Sequence, residues 1–161
     1  MDMRLDKATT SHAAALIRTM KPDHRRELTW FGQTPSVGVW ASYGNSRAAA
    51  AAMVGDTLLF IAGVAEKPFN ADADAIWYLA TVDFDNHTRA ALRLTRQLFN
   101  VEAWKYTKTG RLEQYLPPGY PTGIRFLEWL GWTRGDVVSI GPRQAVHMYY
   151  DRPAGTAAKE A

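Results

Sequence analysis

The spacing of apolar residues changes several times along the chain and divides it into elements. Met3 to Lys7 reads as a short strand. Ala13, Leu16, Ile17 and Met20 then recur at three- and four-residue steps, which predicts a helix capped by Thr10 or Ser11. Pro22 suits the first turn of a second helix, which carries Leu28 and Trp30-Phe31 and stops at Gly32, and Pro35 opens a third with Val39 and Trp40. Arg47 to Val54 is alanine-rich, and alanine alone favours helix. Gly55-Asp56, however, separates it from the apolar run Leu58 to Val64, and a glycine-centred turn between two such runs predicts a hairpin.

Lys67 to Ala75 reads as a polar loop, and Ala75 to Val82 as a central strand buried on both faces. Ala91, Leu94, Leu98 and Val101 define the longest amphipathic helix. Asp85 or Asn86 is placed to cap it, and Arg89, Arg93 and Arg96 take another side. Arg111 to Leu116 reads as a strand, Pro117-Pro118-Gly119 as a loop, and Pro121 as the opening of a helix containing GIRFLEWLGW, residues 123–132. Asp136 to Ile140 and Ala145 to Asp151 pair around Gly141-Pro142. The order is β-α-α-α-β-β-β-α-β-α-β-β. It predicts an α/β domain over residues 1–151 whose mixed, mostly antiparallel central sheet is flanked by helices, followed by a flexible tail, 152–161.

Composition narrows the function classes. The 161 residues contain no cysteine, which excludes disulfides, thiolate metal sites and cysteine nucleophiles and fits a reducing compartment. No apolar run approaches the roughly 20 residues that cross a bilayer, and the start, MDMRLDKATT, lacks the hydrophobic segment of a signal peptide. The formal charge is +3, but the basic residues are scattered among the acidic ones without a basic stripe, so nucleic acid is not the expected partner. The arginines at 89, 93 and 96 read as the solvated side of their helix. Asp83, Asp85 and His87 alternate as metal ligands could, yet capping and turn chemistry explain the same residues, and no metal is expected.

The element order, together with GIRFLEWLGW before the last two strands, resembles the GNAT N-acetyltransferase superfamily. The segments LTWFGQTP (28–35), WYLAT (77–81) and IRFLEWLG (124–131) are similar to GNAT-like proteins of short-tailed phages, including the internal virion protein A family. The resemblance covers residues 3 to 150. It implies a cofactor arm held by the backbone of Tyr78, Leu79, Ala80 and Thr81. It also implies a pyrophosphate received at the start of the long helix, where the superfamily has Gln or Arg, two residues, Gly, one residue, then Gly or Ala. Unpaired amides and the helix dipole favour an anion there.

His87-Thr-Arg-Ala-Ala-Leu92 lies over that pattern. This makes His87, Thr88 and Arg89 the anion contacts, puts Ala90 and Leu92 where small residues are expected, and lets Leu92 crowd the approach. The resemblance also implies a tyrosine that returns a proton to the leaving thiolate. Leu127 takes that position, and Tyr120 falls where an Asn is usual and becomes the substitute donor. Asp83, Asp85, His87, Glu66 and His147 are candidate bases, although Asp85 also reads as a helix cap and His147 as a solvent-facing residue of the last strand.

Two readings follow from the resemblance. In the first, a GNAT-like fold without catalysis or cofactor serves a phage particle, contacting head, tail or ejection proteins, and occupies the virion after assembly in the host cytoplasm. In the second, the chain is an acetyl-CoA-dependent N-acetyltransferase acting on an amine.

Overall fold

The computed structural model describes residues 2–155, so the last six residues of the expected tail, 156–161, lie outside the described residues. The elements follow the predicted order: β1 (Met3–Lys7), α1 (Thr10–Thr19), α2 (Pro22–Trp30), α3 (Pro35–Gly44), β2 (Ser46–Val54), β3 (Thr57–Ala65), β4 (Asp74–Ala80), α4 (Thr88–Gln97), β5 (Arg111–Leu116), α5 (Pro121–Trp129), β6 (Thr133–Ile140) and β7 (Arg143–Asp151). Pro22, Pro35 and Pro121 each occupy the first helical turn, where a missing N–H costs no hydrogen bond. Gly55 and Gly141 turn the hairpins at φ +56 and +57, a region that excludes most side chains.

Local chemistry corrects three expectations. Thr9, rather than Thr10 or Ser11, caps α1: its Oγ1 accepts from His12 N–H at 3.3 Å while His12 Nδ1 accepts from Thr9 N–H at 3.0 Å. Neither Asp85 nor Asn86 caps α4. Thr81 caps a 3₁₀ turn, Val82–His87, that runs into α4, and Asp85 instead pairs with Lys21 at 3.0 Å. The long helix also ends at Gln97, where a π-helical turn, Leu98–Glu102, takes over.

The seven strands form one sheet in the order β1-β2-β3-β4-β5-β7-β6. All neighbours are antiparallel except β4 and β5, which α4 connects as a crossover between parallel strands. One face packs Phe60, Tyr78, Leu94, Phe99 and Trp104 under α4 and α5, and the other packs Leu16, Val39, Ile61 and Leu79 under α1, α2 and α3.

The parallel contact is short. Only Asp74↔Leu112 and Ala75↔Glu113 pair, after which β4 runs on to Ala80 without β5. The junction is tied by Asp74, 3% exposed, whose Oδ1 meets Arg47 at 3.2 Å. Its Oδ2 accepts from the Lys108 and Thr109 backbone N–H groups and from the Thr109 hydroxyl at 2.7–3.0 Å. Past that tie the sheet splits.

Candidate active site

A sheet that splits between parallel strands leaves backbone groups without a ladder partner, and buried ones must be satisfied by something. Just past β4, Thr81 N–H donates to Leu59 C=O of β3, whereas the C=O of Ala80, the last residue of β4, turns the other way and accepts from Lys21 N–H, both at 2.9 Å. Because direction alternates along a strand, Tyr78 and Ala80 present their backbone to the gap, and Leu79 and Thr81 present theirs to β3. Thr81 is further engaged through its hydroxyl to Leu58 C=O at 2.7 Å. Of the four residues 78–81 singled out in the sequence, Tyr78 and Ala80 therefore face the gap, with the Ala80 carbonyl already taken by Lys21, and Leu79 and Thr81 are spent on the sheet.

The gap opens on a cleft holding about 120 Å³ of space between α2 and α5. Its α2 wall carries Lys21, Asp23, His24 and Glu27, and its α5 wall Tyr120, Phe126 and Leu127. Tyr120 immediately precedes α5, with its ring over Gly123. A Cβ on Gly123 would stand 2.6 Å from the ring, so the first glycine of GIRFLEWLGW is the residue that admits the phenol. Leu127 is buried and carries no titratable group.

His24 and Glu27 were not legible as site residues. Their side chains are 13% and 15% exposed, with Nδ1 to Oε2 at 3.7 Å, and Nδ1 has no hydrogen-bond partner. Burial holds the Glu27 carboxyl up at about 8. Burial, reinforced by the Lys21 charge and opposed by Asp23, lowers His24 to about 4. Burial also raises the Tyr120 phenol, and the Glu27 and Asp23 charges act in the same direction, so the phenol keeps its proton at every physiological pH. The cleft thus holds a proton acceptor with a value close to neutrality and a retained phenolic proton, which is the equipment of acid–base transfer.

The other candidates lie elsewhere. Arg89 is exposed at the start of α4, whose capping residue His87 makes no side-chain cap bond. Ala90 and Leu92 are partly buried and pack against the core. Thr88 Oγ1 donates to Asp85 C=O at 3.0 Å. Asp83 accepts from Asn86 at 3.3 Å, Glu66 lies in the loop after β3, and neither lines the cleft.

His147 is not a solvent-facing residue. Its Nε2 lies 2.9 Å from Oε2 of Glu113, a carboxylate with no exposure that also accepts from Asn70 at 2.9 Å and Tyr115 at 3.1 Å. Burial, then the Glu113 charge, pushes Tyr115 up to about 12. Glu113 alternates with Gln114, which lines the cleft, so this cluster sits on the opposite face of β5. Among the described residues no three His, Asp or Glu side chains converge as a metal site, and no helix is long and apolar enough to cross a membrane.

No family model and no curated protein matches the chain. Solved structures do. A putative acetyltransferase superposes with TM-score 0.65 at 18% identity, covering 92% of this chain and 85% of that one. Aminoglycoside acetyltransferase AAC(6')-Ib in complex with coenzyme A matches with TM-score 0.59 at 20% identity, covering 94% and 95%. Spermidine N-acetyltransferase from Vibrio cholerae in complex with CoA and spermine matches with TM-score 0.63 at 10% identity, covering 93% and 95%. Identities this low speak to architecture alone. With the seven-stranded sheet, the short parallel contact and the split beyond it, they establish that the chain has the GNAT acetyltransferase fold.

Proposed function

We propose that the chain is an acyl-CoA-dependent N-acyltransferase. The observation that carries this reading is the desolvated Glu27 carboxyl sharing, with the Tyr120 phenol, the cleft into which the β4–β5 gap opens. The residues present fit a CoA thioester: the Tyr78 backbone and the Ala80 N–H face the gap where an extended arm would lie, and the start of α4, where His87 makes no side-chain cap bond, would receive phosphates beside Thr88 and Arg89. CoA, when bound, supplies the activated acyl group. Ionised Glu27 takes the proton from the attacking nitrogen as the C–N bond forms, and Tyr120 gives its proton to the departing sulfur. With Glu27 at about 8, only about one carboxyl in ten is ionised at pH 7.

Thermal-shift titration with acetyl-CoA and with CoA tests the reading, since a ligand that binds only the folded state must raise its stability. A saturable rise is expected, and no shift at millimolar concentration would sink it. A second reading is a catalytically degenerate fold, for which Leu127 at the usual donor position and two aspartates, Asp83 and Asp85, in the turn before α4 speak; its place in a phage particle beside other virion proteins rests on the sequence resemblance alone. It predicts the chain in mass spectra of purified particles, and absence from them would reject it.

A further inference from the structure

The cleft carries information about the acceptor that the fold does not. Its lining is a chain of rings: His24 to Tyr78 at 6.4 Å, Tyr78 to Phe126 at 6.3 Å and Phe126 to Phe84 at 6.1 Å, the last pair edge to face. Aromatic rings of this kind can hold a cation through their faces, but one face is already taken: Lys21 Nζ stands 5.1 Å from the centre of Phe84.

The remaining charges are committed. Lys21 pairs with Asp85 at 3.0 Å, and Asp23 pairs with Arg26. His24 is neutral, and Glu27 is mostly protonated near pH 7. A second ammonium brought here would be desolvated beside Lys21, and the buried Glu27 would have to give up its proton to pair with it, a costly arrangement. A cavity of about 120 Å³ is close to the roughly 150 Å³ in which an apolar-lined site takes up benzene.

We infer that the acceptor is a small amine on an uncharged, ring-sized apolar body, delivered unprotonated, rather than a polycation of the kind named with the structural neighbours. The inference rests on the acyltransferase reading for the word acceptor, but the ring seat itself does not. An aromatic amine is weakly basic and arrives with its nitrogen lone pair free. Its ring packs among Tyr78, Phe84 and Phe126.

Fluorine NMR of 4-fluoroaniline with the full chain, without CoA, tests the seat directly. Saturable broadening is expected, weakened at least tenfold by Phe126→Ala, or by Phe126→Leu should the alanine variant not fold, and unaffected by tenfold excess spermidine. Displacement by spermidine, or no binding of the fluoroaniline, would overturn the inference. In parallel, thioester consumption from acetyl-CoA is measured with 4-fluoroaniline and with spermidine. Faster consumption with spermidine defeats the inference and leaves the acyltransferase reading standing. A bound fluoroaniline together with no acetyl-CoA binding in the thermal-shift titration defeats that reading and leaves the seat.

Discussion

His24 and Glu27 stand one helical turn apart on α2, Nδ1 to Oε2 at 3.7 Å, on the same wall of the cleft. Burial keeps the histidine deprotonated down to about 4 and the carboxyl protonated up to about 8. Two ionisable groups are thus kept in their neutral forms across neutral pH, in the place where a reacting amine would be received.

That pairing makes stability depend on pH in two opposite ways. Glu27 binds its proton more tightly folded than unfolded, so its contribution is complete below its ordinary value of 4.5 and is lost as pH rises through about 8. His24 binds its proton less tightly folded, so its contribution is present above 6.5 and is lost as pH falls through about 4. Glu27→Gln should therefore gain on the wild type as pH rises from 5 to 9, by the order of a few kcal/mol in urea unfolding. A difference that stays flat with pH would show that Glu27 titrates normally.

Catalysis should follow the same group with the useful form reversed. If ionised Glu27 is the base, kcat/KM rises with pH and levels off above about 8, and Glu27→Gln loses about 10²–10⁴-fold and flattens the rise. An unchanged ascending limb in Glu27→Gln would assign the base elsewhere.

Gly123→Ala should separate the fold from the site. The new methyl meets the Tyr120 ring at 2.6 Å, and the ring, being a movable side chain, is what yields. Alanine is otherwise the better helix former by about 1 kcal/mol. Thermal stability should therefore hold while turnover drops at least tenfold. Unchanged turnover would show that the ring position is immaterial.

The fold was legible because its signals are local. Proline at the first turns of α2, α3 and α5, glycine at the hairpins and the apolar run of β4 each act within a few residues. The site was only half legible. Tyr120, which lines the candidate cleft, was legible through the motif beside it, but Glu27 looks like the polar side of PDHRRELTW until α5, about a hundred residues later, closes over it. His147 was misread for the same reason: its partner Glu113 is 34 residues away, and alternation on the last strand gives no hint of it. Pairings across the sheet leave no periodic trace in either segment.

Asp74 marks where β4 and β5 part, so its loss should be felt both in stability and in the cleft. Asp74→Ala leaves Arg47 facing a buried vacancy and two backbone N–H groups without their acceptor, a change that costs about 3–5 kcal/mol when a buried pair is broken from one side. Replacing both partners, with Asp74→Leu and Arg47→Met, should recover part of that loss in urea unfolding. A cost for Asp74→Ala below about 1 kcal/mol, in the range of surface pairs, would mean that the junction is held by the strands alone.

Tyr120 and Leu127 offer the sharpest test of how the phenol came to sit where it does. Both line one cleft, one on each side of Gly123, and only Tyr120 carries a proton to give. Tyr120→Phe keeps the ring and removes the proton, so turnover should fall about 10²–10⁴-fold with little change in melting temperature. Leu127→Tyr adds a phenol at a core position and should cost about 1–3 kcal/mol through overpacking. In the double variant the phenol at 127 can take over proton donation, and turnover should recover at least tenfold over Tyr120→Phe alone. Recovery would make Tyr120 an acid displaced along the helix start from the usual place. No loss in Tyr120→Phe would remove Tyr120 from the chemistry and leave water as the donor.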